Sequence, residues 1–379
     1  MNSPTSSRLI GIDLARVFAI AFMVQGHAID VLLAPEFRTG SVYNTWLFLR
    51  GLTAPMFLVL AGFSFTVATT RKWEMHSSLS TAALRRMSRF LLFIVLGYAM
   101  HMPMRFPGEL RVLDAATWQS WMQVDVLQCL GVTLLVLQVL VLVCKTPETL
   151  ARVSLALACC IVVLTPAAWH TNWNGALSAY MNGNSGSLFP LFPWAAFILT
   201  GPSLALLFTR NTVALFPQRS FLLGVVLITL ASAFQRAPWT IYHGLDFWRT
   251  SPNLFLMKLG SVCILLGGIG LIAKWWLAIP VSLVRTIAQK SLVIYIVHLA
   301  VLYGSAWNSG LRQFLGPTLG VGATATVILA LLTIMFLTVI VWDRYAEVTP
   351  NAISSVRRVA FGPRAGTGPK LPRKLVVDD

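Results

Sequence analysis

Val124-Asp-Val-Leu-Gln-Cys-Leu-Gly-Val-Thr-Leu-Leu-Val-Leu-Gln-Val-Leu-Val-Leu-Val-Cys144 decides the fold class. After Asp125 the stretch carries no charge and no polar stripe at helical spacing. A helix on the surface of a soluble domain would show that stripe. About 20 apolar residues are what a helix needs to cross a bilayer's hydrocarbon core. In lipid the helix is also the form that satisfies its own backbone hydrogen bonds.

Nine further apolar stretches flank this one: 9–33, 47–70, 88–104, 151–168, 188–209, 220–236, 252–273, 289–306 and 319–342. The expectation is an all-α polytopic membrane protein of about ten transmembrane helices. Residues 1–345 read as one membrane domain, and 346–379 as a basic, disordered cytoplasmic tail lying near the membrane surface. Composition agrees: of 379 residues 56% are hydrophobic and only 11% charged. Soluble chains carry roughly 25% charged residues. Mean hydropathy is +0.73.

The net charge of +16 would suggest nucleic acid in a soluble protein, but here the basic residues alternate between loops. One set of loops, with Arg71, Arg85, Lys145, Arg219, Arg285 and the tail, holds about three times as many Lys and Arg as the other, with Arg38, Arg105, Arg236 and Arg312. The richer set reads as cytoplasmic, which puts both termini inside. The run from Leu9 to Leu33 is too long for a cleaved signal peptide and contains Asp13 and Arg16. The five cysteines lie in or beside apolar runs and read as small core residues. No metal-ligand cluster, P-loop, Rossmann glycine pattern or nucleophile elbow is present. No internal repeat is visible, which disfavours an inverted-repeat transporter.

Ionisable groups inside spanning helices mark function by default. The first run holds Asp13, Arg16, His27 and Asp30. At 100° per residue, Asp13, Arg16 and His27 share one face, with Arg16 and His27 roughly 16 Å apart along the axis. Asp13 and Arg16 can pair at i,i+3. Asp30, one turn beyond His27, either holds the imidazole ring or is an interfacial carboxylate. Asp125 and Gln128 share a face, as do Tyr295 and His298. Arg50, His101 and Lys258 sit near outer ends, where snorkelling explains them. His298 gains weight if it meets His27 in space. The polar segment from His170 to Ser187, with Asn172, Asn174, Asn182 and Asn184, lies outside. It is either an ordinary loop or a place for a polar or sugar-like substrate.

Several stretches resemble one family. Arg16, ten residues and His27 resemble the Arg-x10-His signature of the membrane acyltransferase-3 superfamily. Gly51-Leu-Thr-Ala-Pro-Met-Phe-Leu-Val-Leu-Ala-Gly62, Asp125-Val-Leu-Gln-Cys-Leu-Gly131, Phe189-Pro-Leu-Phe-Pro-Trp194 and Ser291-Leu-Val-Ile-Tyr-Ile-Val-His298 are similar, in order, to its heparan-alpha-glucosaminide N-acetyltransferase branch. The resemblance implies transfer of an acyl group, usually acetyl, from cytoplasmic acetyl-CoA to a sugar or glycan hydroxyl or amine on the outer side. Acetyl-CoA would be a co-substrate, and no cofactor is bound permanently. Carried over, Arg16 and His27 match the signature arginine and histidine, and His298 the histidine of the late Ser…Tyr…His stretch. One position departs. In the heparan-type enzymes Asn matches His27 and a working His follows, whereas here no His lies between His27 and His76. His27 must then serve directly, or the chemistry differs.

The chemistry needs a base for the acceptor and a hold on the donor. Histidine suits the first near neutral pH, and arginine suits CoA phosphate. The expected catalytic residues are His27, Asp13 and His298. Those expected to bind substrate are Arg16, Asp125, Gln128 and Tyr295. Direct transfer and an acyl-enzyme both remain open. The expected partners are acyl-CoA, a glycan of a bacterial envelope, and membrane lipids in a bacterial inner membrane. No nucleic acid is expected, and a homodimer is left open. The competing readings are a transporter or flippase of a polar or lipid-linked solute, and a non-catalytic membrane partner. Intramembrane charges would serve a transporter too.

Overall fold

The computed structural model describes residues 7–104, 108, 113–209, 215–237, 246–273 and 280–348. The tail expected over 346–379 falls almost wholly outside these residues. The described chain is helical, with no strand among the described residues. Twelve helices organise it: α1 Ser7–Leu32, α2 Gly40–Arg50, α3 Thr53–Thr70, α4 Thr81–Met100, α5 Val126–Val143, α6 Pro147–His170, α7 Leu191–Thr209, α8 Phe216–Arg236, α9 Pro252–Ile272, α10 Val281–Gln289, α11 Ser291–Tyr303 and α12 Val321–Val348.

Seven helical stretches among the described residues are long and apolar enough to cross a membrane. They are Ile10–Leu32, Gly40–Thr70, Val126–Val143, Pro147–His170, Phe216–Arg236, Pro252–Ile272 and Val321–Val341. The helices α10 and α11 meet at a 64° bend and make an eighth if the pair crosses once. The remaining two expected stretches fall on α4 and α7, which stop short of that measure. Arg85, Arg86 and Arg89 occupy the first half of α4. The apolar part of α7 runs only over Leu191–Leu207, after a non-helical Phe192. By length and composition the described residues hold seven complete spans, or eight with the bent pair, against the ten expected.

The first helix is the centre of the assembly. It packs against α3, α9, α10, α11 and α12. Its Ala15, Ile20, Val24 and Ala28 are fully buried. Small residues let backbones approach closely, as membrane helix contacts require. Gly62 on α3 and Gly201 on α7 are the clearest case. A Cβ at Gly62 would lie 1.9 Å from the Ile198 carbonyl oxygen, and one at Gly201 would lie 2.3 Å from the Phe63 nitrogen. A Cβ at Gly131 would fall 2.7 Å from the Phe90 carbonyl oxygen and drive α5 away from α4. These contacts hold α3 against α7 and α5 against α4.

Candidate active site

Three cavities lie end to end. The first, about 360 Å³, is lined by Arg16, Ser64, Arg86, Gln289 and Ser291 among apolar side chains. The second, about 480 Å³, is lined by His27, Arg50, His101, Asp125, Lys258 and Tyr303, again on a mainly apolar wall. Phe57 and Tyr295 line both, so these two rings form the partition between them. A third cavity of about 320 Å³ has Trp169, Trp248 and Arg249 in its wall. It shares Leu188, Trp194 and Lys258 with the second.

Helical periodicity makes the link along α1. Arg16 lines the first cavity and His27 the second, three turns further along the same helix. Arg16 donates to Asp13 at 3.0 Å and to the hydroxyl of Ser64 on α3. Asp13 is 9% exposed and lines neither of these cavities, so its contact is with the guanidinium. A buried carboxylate beside arginine offsets the cost of placing the cation in the helix bundle.

His27 Nδ1 lies 3.1 Å from the hydroxyl of Tyr303. Its ring centroid is 5.4 Å from that of His298, so the two histidines expected to matter do meet. His298 is fully buried. Its Nδ1 lies 2.7 Å from the carbonyl oxygen of Ile294, one turn back along α11. A carbonyl accepts only, so Nδ1 carries the hydrogen and Nε2 keeps its lone pair. That Nε2 is buried with no hydrogen-bond partner among the described residues. Tyr295, three residues earlier, has its ring 5.7 Å from His298 and donates its hydroxyl to Asp125 Oδ2 at 3.0 Å. His101 Nε2 stands 3.7 Å from the same oxygen. His27, His298, Tyr295 and Asp125 thus form a continuous polar seam beside the partition.

Other expected residues sit elsewhere. Asp30 is ion-paired with Arg50, so the partner of the His27 ring is not Asp30 but the Tyr303 hydroxyl, which can donate or accept. Gln128 is fully buried and accepts the Asp125 backbone N–H at 3.2 Å, while Asp125 Oδ1 accepts from the Val126 N–H at 2.7 Å. This is a capping box opening α5. Asp125 therefore shapes a helix start and faces the cavity at once, whereas Gln128 serves the cap. The asparagines of the polar loop brace it: Asn182 donates to the Ala168 carbonyl at 3.0 Å and Asn184 to the Trp169 carbonyl at 2.9 Å. What that loop presents to the third cavity is Gly183, Gly186 and Ser187, beside the Trp169 indole at the end of α6.

Sequence reasoning missed Tyr303, Phe57 and Trp194 as cavity residues, and it read Arg50, His101 and Lys258 as snorkelling. Tyr303 ends an apolar helix just before Gly304, which takes φ +81°. A polar aromatic at that stop, five residues after His298, was the available signal.

A family model described as heparan-alpha-glucosaminide N-acetyltransferase, catalytic, matches residues 8–234. That span takes in Arg16, His27, Phe57 and Asp125 and ends before α9 to α12. No curated protein matches the chain.

Proposed function

We propose, from the premise that this chain belongs to the heparan-alpha-glucosaminide N-acetyltransferase catalytic family, that it moves an acetyl group across the bilayer from cytoplasmic acetyl-CoA to a glycan amine or hydroxyl outside. The observation that carries the reading is the meeting of two cavities at Phe57 and Tyr295, with a guanidinium in one and an imidazole in the other. The Arg16 to His27 spacing of roughly 16 Å matches the reach of a pantetheine arm. On this reading Arg16 and Arg86 hold phosphate in the Arg16 cavity, which opens to the cytoplasm. The thioester is offered past the partition, and the acceptor occupies the His27 cavity from the other side. The host membrane is a bacterial inner membrane, and the acceptor a glycan of its envelope.

The chemistry follows from the groups present. The acceptor nitrogen or oxygen attacks the thioester carbonyl carbon while its proton passes to an imidazole. The C–S bond then breaks, the sulfur leaves as thiolate, and that sulfur recovers the proton. His27 is the imidazole on the cavity wall and takes the proton. With Nδ1–H donated to the Tyr303 oxygen, Nε2 is the nitrogen that takes the proton. His298 stands behind it with a fixed tautomer and an unpartnered Nε2, and stabilises the His27 ring once it is charged. Positioning the reactants in a cavity with a mainly apolar wall supplies most of the remaining barrier reduction.

Purified protein given acetyl-CoA should release free thiol in proportion to added glucosamine, with N-acetylglucosamine as the second product. Thiol release that glucosamine does not raise, together with undetectable CoA binding, would give the lead to the transporter reading.

A further inference from the structure

Lys258 has an unusual position. It projects from α9 at the junction of the Trp169 and His27 cavities and lines both. Its Nζ lies 5.6 Å from the centre of the Trp194 ring. No carboxylate among the described residues comes within ion-pair distance of it. Asp125 is the one carboxylate lining the His27 cavity among the described residues, and it is held by Tyr295 with His101 beside it. Among the described residues none lines the Trp169 cavity. A partly enclosed ammonium whose neighbour is a π face keeps donors to spare, because lysine has three and the ring face takes at most part of that capacity.

Five aromatic side chains, Trp169, Trp194, Phe197, Trp248 and Phe255, stand in the wall of the Trp169 cavity among glycine, serine, leucine and proline residues. Trp169 is fixed by donation from its Nε1 to the Phe192 carbonyl at 2.9 Å. Trp194 is wedged between Phe189 at 4.6 Å and Phe197 at 5.9 Å, centroid to centroid. Trp248 is 69% exposed at the rim, beside Arg249, which pairs with Asp246 at 3.5 Å. Rigid indoles with a few convergent polar groups make a concave site for a ligand with one apolar face and polar edges. A pyranose has that shape. The cations add a demand for negative charge.

We propose that the Trp169 cavity is a saccharide subsite and that Lys258 binds an anionic substituent of that saccharide, a carboxylate or a phosphate ester, where it passes into the His27 cavity. Calling the saccharide an acceptor rests on the proposed acetyl transfer; the binding site does not. The anion would replace the missing carboxylate partner of Lys258, and Trp194 would face both the sugar and the ammonium.

The test is a titration of intrinsic tryptophan fluorescence of the full-length protein in detergent with no acyl donor present. The probes are glucose, glucuronate and glucose 6-phosphate. At low salt at least one anionic probe should bind about ten-fold or more tighter than glucose, as a charge-assisted hydrogen bond provides. The gap should narrow as sodium chloride is added. Preference for glucuronate alone assigns a uronate carboxylate, and preference for glucose 6-phosphate alone assigns a phosphate ester. Lys258→Met should erase the gap and leave glucose affinity unchanged, while Lys258→Arg keeps most of it. Equal affinity for all three probes in the wild type overturns the proposal without need of any variant, and so does a gap that persists in Lys258→Met. Either result leaves acetyl transfer untouched. Conversely, anion preference without any thiol release from acetyl-CoA would sink the transfer reading and keep the subsite.

Discussion

Replacing His27 by Ala separates a chemical role from a structural one. The substitution deletes a half-buried ring on the wall of an existing cavity of about 480 Å³. The fold loses one hydrogen bond to Tyr303, at 3.1 Å, an edge contact with that ring at 5.7 Å and a tilted contact with the His298 ring at 5.4 Å. Each is worth about 1 kcal/mol, so the structural cost is about 3 kcal/mol. The lost atoms widen a space that is already open, so the penalty for a new buried void is small. A general base contributes about 10²–10⁴-fold to rate, or about 2.7–5.5 kcal/mol of barrier. The structural cost lowers the melting temperature, whereas the chemical loss lowers the rate of the protein that stays folded, so the two are read separately. The assay is free-thiol release from acetyl-CoA with glucosamine as acceptor, alongside calorimetric CoA binding and a melting curve. His27→Ala should lower transfer at least about 100-fold while CoA affinity stays within two-fold. The control is His76→Ala. Burial, with Arg86 and Lys72 nearby, pulls the His76 imidazole down to about 4, so Ala removes no charge at neutral pH. Its backbone carbonyl, which accepts from Gln138 at 3.0 Å, is retained. Transfer in His27→Ala within about ten-fold of wild type would refute the reasoning and make His298 the base.

Three further outcomes follow from the same geometry. Arg16→Ala should weaken CoA binding about ten-fold by calorimetry, and Arg16→Lys should restore only part of it, because Lys lacks the planar fork that engages phosphate; unchanged affinity in Arg16→Ala would remove Arg16 from the donor site. Phe57→Trp thickens the partition, so CoA binding should persist while transfer falls at least ten-fold; equal rates would mean that the arm takes another path. Reporter fusions after Gly183 and after Asp379 should report opposite sides of the membrane, and the same side for both would overturn the assigned topology.

The architecture was legible in proportion to how local its causes are. Val126–Val143 is an apolar run with a capping residue at its start, and both features lie in adjacent residues. The face shared by Asp13, Arg16 and His27 was legible for the same reason, since helical periodicity alone sets it. Hydropathy averages composition, so it did not see the 64° bend at Lys290 between α10 and α11 or the break at Phe192 in α7. The approach of His27 to His298 joins residues 271 positions apart in the chain (298 minus 27), at 5.4 Å, and no local rule predicts it. Lys258 and His101 were misread because a charge near a helix end looks alike in sequence whether it reaches for headgroups or lines a cavity. Asp125 and Gln128 at i,i+3 likewise match both a binding face and a capping box. The structure separates the two by burying Gln128 completely.

The central claim is passage of an acetyl group between cavities that open to opposite sides. Sealed vesicles of uniform orientation can be given acetyl-labelled CoA on the face bearing the loop around His76, with glucosamine confined to the compartment across the membrane. Labelled N-acetylglucosamine should appear in the glucosamine compartment with wild-type protein and not with His27→Ala. Product formed only when donor and acceptor share one side, or no product in any arrangement, would contradict it.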